Sequence, residues 1–358
     1  GNIWLGTENG GLSKLNPVTG HIENYNIENV GLSDNNIHGL LPYEDNILLG
    51  AFVYGMDIFN TQSKKVIYHT EYDANSTSSL KSNFLYDIKK SKSGEILIAT
   101  TRGHYTFDIT NKSFSPITKV PTEMSYTTLL EDSKGYIWLG TWRNGLYMYH
   151  PRRNIIMHFA HEPNNPNSLP NNKVNSIFED SNGKIWIATE GGLGKIIPNK
   201  NIQFDFQNPD IKLPSKIVFA VLQDKNKNIW ITTSKGLIRY NQVTNNTRLF
   251  NIESGLPSIQ FNYNSSYDDG TGKFYFGTIN GMIRFEPEKL NQIKYNSNTT
   301  IYITRLTVNN KEINQNDADS VLKKSILFTD EIILKYNESS FILDFTALLY
   351  DSPHALKS

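Results

Sequence analysis

The sequence predicts an all-β protein: a seven-bladed β-propeller followed by an incomplete immunoglobulin-like β-sandwich. Three observations lead there. A short apolar strand, best written as Tyr136-Ile137-Trp138-Leu139-Gly140, recurs with its central residue at positions 4, 48, 97, 138, 186, 230 and 275, in steps of 41 to 49 residues. That period is the length of a four-stranded propeller blade. Around each copy, runs such as Asp132 to Gly135 and Asn144-Gly145 carry the side-chain-capped and glycine-bearing turns that join antiparallel strands. From about residue 296 the repeat gives way to longer alternating strands, which mark a second domain.

Taken in order, each module opens with a first strand, expected at 37–41, 85–88, 126–130, 174–178, 217–222 and, less regularly, 261–267. Fourth strands are expected at 22–25, 66–68, 155–159, 202–206 and 248–250. The first module begins at its second strand, and the seventh shows no fourth strand before Pro287. Closed rings usually complete a blade from both chain ends, so one or two strands are expected to precede Gly1. The propeller is assigned to 1–292 and the sandwich to 296–358, with strands at 300–308, 309–313, 331–334 and 340–349 around a polar loop at 314–324. About 60 residues are short for a sandwich of about 100, so the domain is expected to continue past Ser358.

Composition narrows the function classes. The chain has 358 residues, 38% hydrophobic and 12% aromatic, enough for a large core. Lys plus Arg and Asp plus Glu each number 35, a balance that argues against a dominant pull toward nucleic acid or an anionic membrane. The absence of cysteine removes disulfides and thiol chemistry. No run approaches the roughly 18 apolar residues of a membrane span.

Most conspicuous motifs have structural readings. Trp4, Trp138, Trp186 and Trp230 share one strand position and are read as core. The pairs Glu44-Asp45, Glu131-Asp132 and Glu179-Asp180 repeat with the blade, whereas a catalytic carboxylate normally occurs once. Gly192-Leu193-Gly194-Lys195 fails as a phosphate loop because Thr189 stands where its first glycine belongs and Ile196 replaces the Ser or Thr. His158 and His161 lack a third ligand, so no metal is expected. Neither a catalytic residue nor a cofactor is assigned. The candidate ligand residues are Tyr54, Arg102, His104, Trp142, Arg143, Glu190 and Lys235, which lie at or beside the turns between second and third strands. In propellers these turns share a face with the lead-ins to the first strands, so the residues are expected to converge on a central mouth. There an aromatic ring stacks on a sugar, and a cation pairs with its carboxylate or sulfate.

The module DSKGYIWLGTWRNGLYMYHP, the lead-in NSLPNNKVNSIFED, the closing module GLPSIQFNYNSSYDDGTGKFYFGTINGMIRFEP and the segment ITRLTVNNKEI together resemble the two-component regulator propeller followed by the triple-tyrosine domain. Those are the periplasmic sensor parts of hybrid two-component systems of Bacteroides-type bacteria. The resemblance covers nearly the whole chain. It implies a ligand-sensing ectodomain that binds an oligosaccharide and controls polysaccharide-utilisation genes through a histidine kinase outside this chain, with no enzymatic activity in this region. It also implies a homodimer, attachment to the inner membrane through a helix outside this chain, and no contact with nucleic acid. The basic residues near the mouth tilt the expectation slightly toward an acidic glycan. Leu48 and Leu97 depart from the module tryptophan, and Val53-Tyr54-Gly55 and Arg102-Gly103-His104 depart from the usual small turn. Two other classes compete: a secreted propeller glycosidase or lyase, discriminated by turnover, and a protein-interaction propeller, discriminated by the lack of any saccharide effect on stability.

Overall fold

In the computed structural model, which describes residues 1–198, 204–206, 208–292, 301–317, 320–338 and 340–347, the chain separates into two compact units. The larger comprises 1–251 and 257–287, and the smaller 252–256 and the residues from 288 onward.

The larger unit is a seven-bladed propeller of antiparallel meanders. Its first blade has three strands, Ile3–Thr7, Gly11–Leu15 and Ile22–Tyr25. The second runs through Ile37–Tyr43, Asn46–Ala51, Met56–Asn60 and Lys65–Thr70, and the third through Leu85–Lys90, Ile96–Thr100, Gly103–Asp108 and Ser113–Pro116. Tyr126–Glu131, Ile137–Thr141, Leu146–Tyr149 and Ile156–Phe159 make the fourth; Val174–Glu179, Ile185–Thr189, Gly192–Pro198 and Phe204–Phe206 make the fifth. The sixth is Val218–Gln223, Asn228–Thr233, Gly236–Asn241 and Thr247–Phe250, and the seventh has Phe261–Asp268, Phe274–Thr278 and Gly281–Phe285. First strands of successive blades pack side by side from the second blade to the seventh. Arg284 of the seventh blade donates through Nη1 to the Pro17 carbonyl of the first at 3.0 Å, which joins the ends of the ring.

The second strands carry the core because both of their faces are covered by neighbouring blades. Ile96–Thr100, Ile137–Thr141 and Ile185–Thr189 are buried along their whole length. This explains why they read as continuous apolar runs instead of alternating ones. Trp138, Trp186 and Trp230 are fully buried, as their shared position implies.

Each of those indoles is tied to an aspartate six residues earlier. Asp132 Oδ2 accepts from Trp138 Nε1 at 2.8 Å, while its Oδ1 accepts the backbone N–H groups of Lys134 and Tyr136. Asp180 repeats this with Trp186 and with the N–H groups of Asn182 and Lys184, and Asp224 with Trp230 and the N–H of Asn228. One carboxylate thus fixes the first turn and satisfies a buried donor, as buried polar groups require. The preceding residue staples blades together. Glu131 accepts the N–H of Lys92 in the blade before it, Glu179 that of Ser133, and Gln223 that of Ser181. The Glu131-Asp132 and Glu179-Asp180 pairs are therefore structural, one member working within the blade and the other across it.

The opposite turns have their own clamp. The threonine ending the second strand accepts the N–H of a turn residue and donates to the carbonyl of the glycine opening the third, as Thr141 does with Asn144 and Gly145. Gly145 has φ +77°, and a Cβ there would lie 2.2 Å from the Phe159 carbonyl oxygen, so only glycine fits.

The smaller unit holds a three-stranded sheet in the order Lys311–Glu312, Ile301–Val308, Phe341–Ala347. Asn309 and Asn310 both take left-handed backbone conformations and make the hairpin turn. Leu306, Val308 and Leu322 form its core, with Ile332 and Leu334 packed against them. The strand expected at 331–334 is not one: the segment supplies apolar side chains without joining a ladder. Residues 202–203, 300 and 348–349, within other expected strands, lie outside the described residues. The fourth strand of the third blade, Ser113–Pro116, escapes a pattern search because Phe114 is its one buried residue.

Candidate functional site

The turns between second and third strands and the lead-ins to the first strands are stitched together on one face. The first residue of the turn donates its N–H to the carbonyl just before the first strand: Phe52 to Asn36, Thr101 to Phe84, Trp142 to Ser125, Glu190 to Lys173, Ser234 to Ile217 and Ile279 to Gln260. Five first strands then carry a bulge, with His38, Tyr86, Thr127, Asn175 and Phe219 left out of the ladder register. A bulge re-aims a side chain, and here it breaks the alternation that would have revealed these residues. The seventh blade exaggerates the device. Its register jumps from Phe261 to Ser266, and Asn264, in a left-handed conformation, donates through Nδ2 to Asp87 of the third blade at 3.2 Å.

These features assemble an aromatic arc around the mouth. Phe84 meets Phe52 edge-on at 5.3 Å; Phe52 stacks on His38 at 4.7 Å; and Tyr86 lies beside both, 6.4 Å from Trp142. Beyond Trp142, the Lys173 ammonium is 3.8 Å from the indole centroid and 5.1 Å from that of Tyr263, which meets Phe219 edge-on at 4.9 Å. Lys173 is also paired with Glu190 at 2.6 Å, and Glu190 accepts a bond from the Tyr263 hydroxyl at 3.4 Å. Desolvation lowers the pKa of His38, against the opposing charges of Glu8 and Asp34, and burial raises that of the Tyr86 phenol. Beside the arc, Trp142, Arg143, Asn171, Asn172, Lys173 and Glu190 line an open recess of about 380 Å³.

The seven residues expected to converge fall into three groups. Trp142, Arg143 and Glu190 come together in the recess. Tyr54 and Lys235 stand exposed at their own turns and do not line that recess. His104 is a correction, and Arg102 is not among the residues that line the recess. The Arg102 guanidinium is exposed but held by Glu123, through Nε at 3.1 Å and Nη2 at 2.9 Å. His104 is 1% exposed, because the glycine at 103 begins the third strand and turns residue 104 into the sheet; its ring bonds the Ile98 carbonyl and the Tyr149 hydroxyl. It is a core residue. Arg102→Ala is expected to change stability by less than about 1 kcal/mol, since exposed pairs contribute little, and thermal unfolding checks this. Sequence reasoning missed His38, Phe52, Phe84, Tyr86, Lys173 and Tyr263; aligning the lead-ins on their shared hydrogen bond would have grouped most of them.

Three stretches, 120–143, 168–191 and 212–235, match the two-component regulator propeller family. Each stretch ends on a mouth-face turn, those of Trp142-Arg143, Glu190 and Lys235. Over 392 aligned positions the chain is 26% identical to histidine kinase P4 of Formosa agariphila, a match that takes in 96% of this chain and 25% of that protein. The chain thus spans a quarter of the length of the kinase it matches. Two solved structures share the fold. The extracellular domain of a hybrid two-component system of B. thetaiotaomicron superposes with a TM-score of 0.64 at 21% identity, over 85% of this chain and 39% of that one. Virginiamycin B lyase of Staphylococcus aureus does so with a TM-score of 0.60 at 14% identity, over 79% and 90%.

Proposed function

We propose that this chain is an extracytoplasmic ligand-sensing region of a two-component histidine kinase, and that its ligand is an oligosaccharide bound at the mouth face of the propeller. The observation that carries the reading is the aromatic arc ending in the recess at Trp142. Rings from neighbouring blades present the flat apolar surface that sugar faces stack on, beside groups able to bond hydroxyls and charges. The regulator-propeller repeats and the similarity to a histidine kinase support the signalling half. Among the described residues no helix is long and apolar enough to cross a membrane. In a homodimeric receptor the saccharide has to bind one arrangement of protomers better than the other, since equal affinity for both shifts nothing.

A thermal-shift screen against neutral and acidic oligosaccharides, with calorimetry on any hit, tests this. A ligand at a hundred times its dissociation constant should stabilise the protein by about 2.7 kcal/mol. Trp142→Ala should remove the shift while leaving the unliganded protein folded. Turnover of the hit would instead mark an enzyme, and a folded protein that no saccharide stabilises would defeat the sensor reading.

A further inference from the structure

The bulge of the seventh blade leaves its own sheet and spans the channel of the propeller. Residues 262–265 stand opposite Gly277 alone, whereas each of the other bulges inserts a single residue. Gly277 makes room for them, because a Cβ there would collide with the Ser265 Oγ. Asn264 has φ +46°, a left-handed conformation that asparagine tolerates better than most residues. Its Nδ2 donates at 3.2 Å to Oδ2 of Asp87, which is 3% exposed. Asp87 is a firm anchor: the same oxygen accepts the Leu129 N–H at 3.1 Å, and Oδ1 lies 3.3 Å from the Lys89 ammonium. Both partners belong to first strands, the innermost of their blades, and three blades separate them one way round the ring and two the other. The bond therefore crosses the axis. Phe261–Asp268 also meets Val174–Glu179 of the fifth blade, past the sixth.

Tyr263 rides on this crosspiece. Its ring meets Phe219 of the sixth blade edge-on, and the Lys173 ammonium and the Glu190 carboxylate of the fifth lie beside it. It is nevertheless 52% exposed, against 37% for Phe84 and for Trp142. Its hydroxyl bond to Glu190, at 3.4 Å, is long, so the position of the ring depends on the backbone that carries it. That backbone pairs with no neighbouring strand between Phe261 and Ser266, and the bond from Asn264 to Asp87 is what ties it down. A surface ordered before its ligand arrives binds more tightly than one the ligand has to order. Resting on the saccharide reading above, we infer that residues 262–265 close the channel beneath the mouth and that Asn264 is a positioning residue, whose bond to Asp87 fixes Tyr263 as a rim for an oligosaccharide to pack against. The sugar chain then lies across the mouth and does not thread the channel.

The experiment has two parts. The chain has no cysteine, so Ser265→Cys supplies a single thiol, half-buried where the crosspiece meets Gly277, and its labelling rate reports how often the crosspiece lifts. Asn264→Gly keeps the left-handed backbone and removes the amide, while Asn264→Asp keeps the size and puts a carboxylate that Asp87 repels in place of the donor. Each should raise the labelling rate roughly tenfold, the worth of a hydrogen bond to a charged acceptor. Calorimetry with neutral, uronate and sulfated oligosaccharides of matched length, on the chain without the added thiol, gives the second readout. Whichever of them binds should lose affinity roughly threefold to tenfold on Asn264→Gly, the cost of ordering a loosened side chain. Tyr263→Ala should lose at least as much, and the two changes together little more than Tyr263→Ala alone, because the anchor acts through the ring. An unchanged labelling rate would overturn the crosspiece. Full affinity in Asn264→Gly, or losses that add with those of Tyr263→Ala, would overturn its positioning role, and both results leave the saccharide reading intact. Faster labelling in a protein that binds none of the three oligosaccharides would overturn the saccharide reading and the positioning role with it.

Discussion

Asp132→Ala is expected to destabilise the propeller by about 4 kcal/mol, measured as a fall in the urea midpoint at unchanged slope. The carboxylate accepts three bonds, and two of the donors, the Trp138 indole N–H and the Tyr136 backbone N–H, belong to buried residues and would be left without this acceptor. The Trp138 indole N–H is fully buried, and the N–H groups of Lys134 and Tyr136 are fixed by the turn that Asp132 itself shapes. Each buried donor left unsatisfied costs about 1–3 kcal/mol. The third blade shows the alternative solution. Ser91 occupies the aspartate position, its Oγ accepts only the Glu95 N–H at 2.9 Å, and Leu97, which needs no acceptor, replaces the tryptophan. Carboxylate and indole are given up together there, whereas the seventh blade keeps Asp269 and offers it the Tyr275 hydroxyl, at 3.4 Å, in place of an indole. In the fourth blade the double variant Asp132→Ser, Trp138→Leu should be more stable than the sum of its single effects by about 2 kcal/mol. Additive losses would show that the two side chains are not coupled.

This pairing explains why the fold was legible. The period, the second-strand core and the structural Glu-Asp pairs all follow from one blade being repeated, and a repeat shows its geometric needs as recurring letters. The site was only partly legible for the same reason. What recurs at the mouth is backbone geometry, the hydrogen bond from turn to lead-in and the bulge after it, while the side chains mounted there differ from blade to blade. Lys173, Tyr86 and Tyr263 precede or interrupt strands and belong to no apolar pattern. Arg143 and Glu190 were visible because they follow the most regular strands. His104 was misplaced because Thr100, the clamp residue, binds the Gly103 carbonyl and closes the turn so tightly that the residue after the glycine already lies in the sheet. Tyr54, after Ala51, sits in the one four-stranded blade whose second strand does not end in threonine, and there Asp34 takes over by accepting the Val53 N–H at 3.2 Å.

Lowering the pH from 7 to 4 should cost the propeller about 3 kcal/mol through His104 alone. The Ile98 carbonyl can only accept, so Nδ1 carries the proton and donates at 3.0 Å, and Nε2 accepts from the Tyr149 hydroxyl at 3.1 Å. The ring is neutral and fully enclosed. Burial lowers its pKa from 6.5 to about 4, although the bond to the Ile98 carbonyl opposes the shift. Above pH 6.5 the imidazole is neutral in folded and unfolded chains alike, and the stability it permits is fully present. As pH falls below 6.5 the unfolded chain takes up the proton and the folded one does not, so stability drops by about 1.4 kcal/mol per unit until the folded ring also protonates near pH 4. Titrating carboxylates add their own slope, but equally in a variant. His104→Gln, which can bond both partners without titrating, should be less stable at pH 7.5 yet flatter between pH 6.5 and 4, and Tyr149→Phe should lose about 1 kcal/mol. Urea midpoints across that range decide the matter: parallel profiles for the wild type and His104→Gln would mean that His104 is already charged in the folded protein or that its burial carries no penalty.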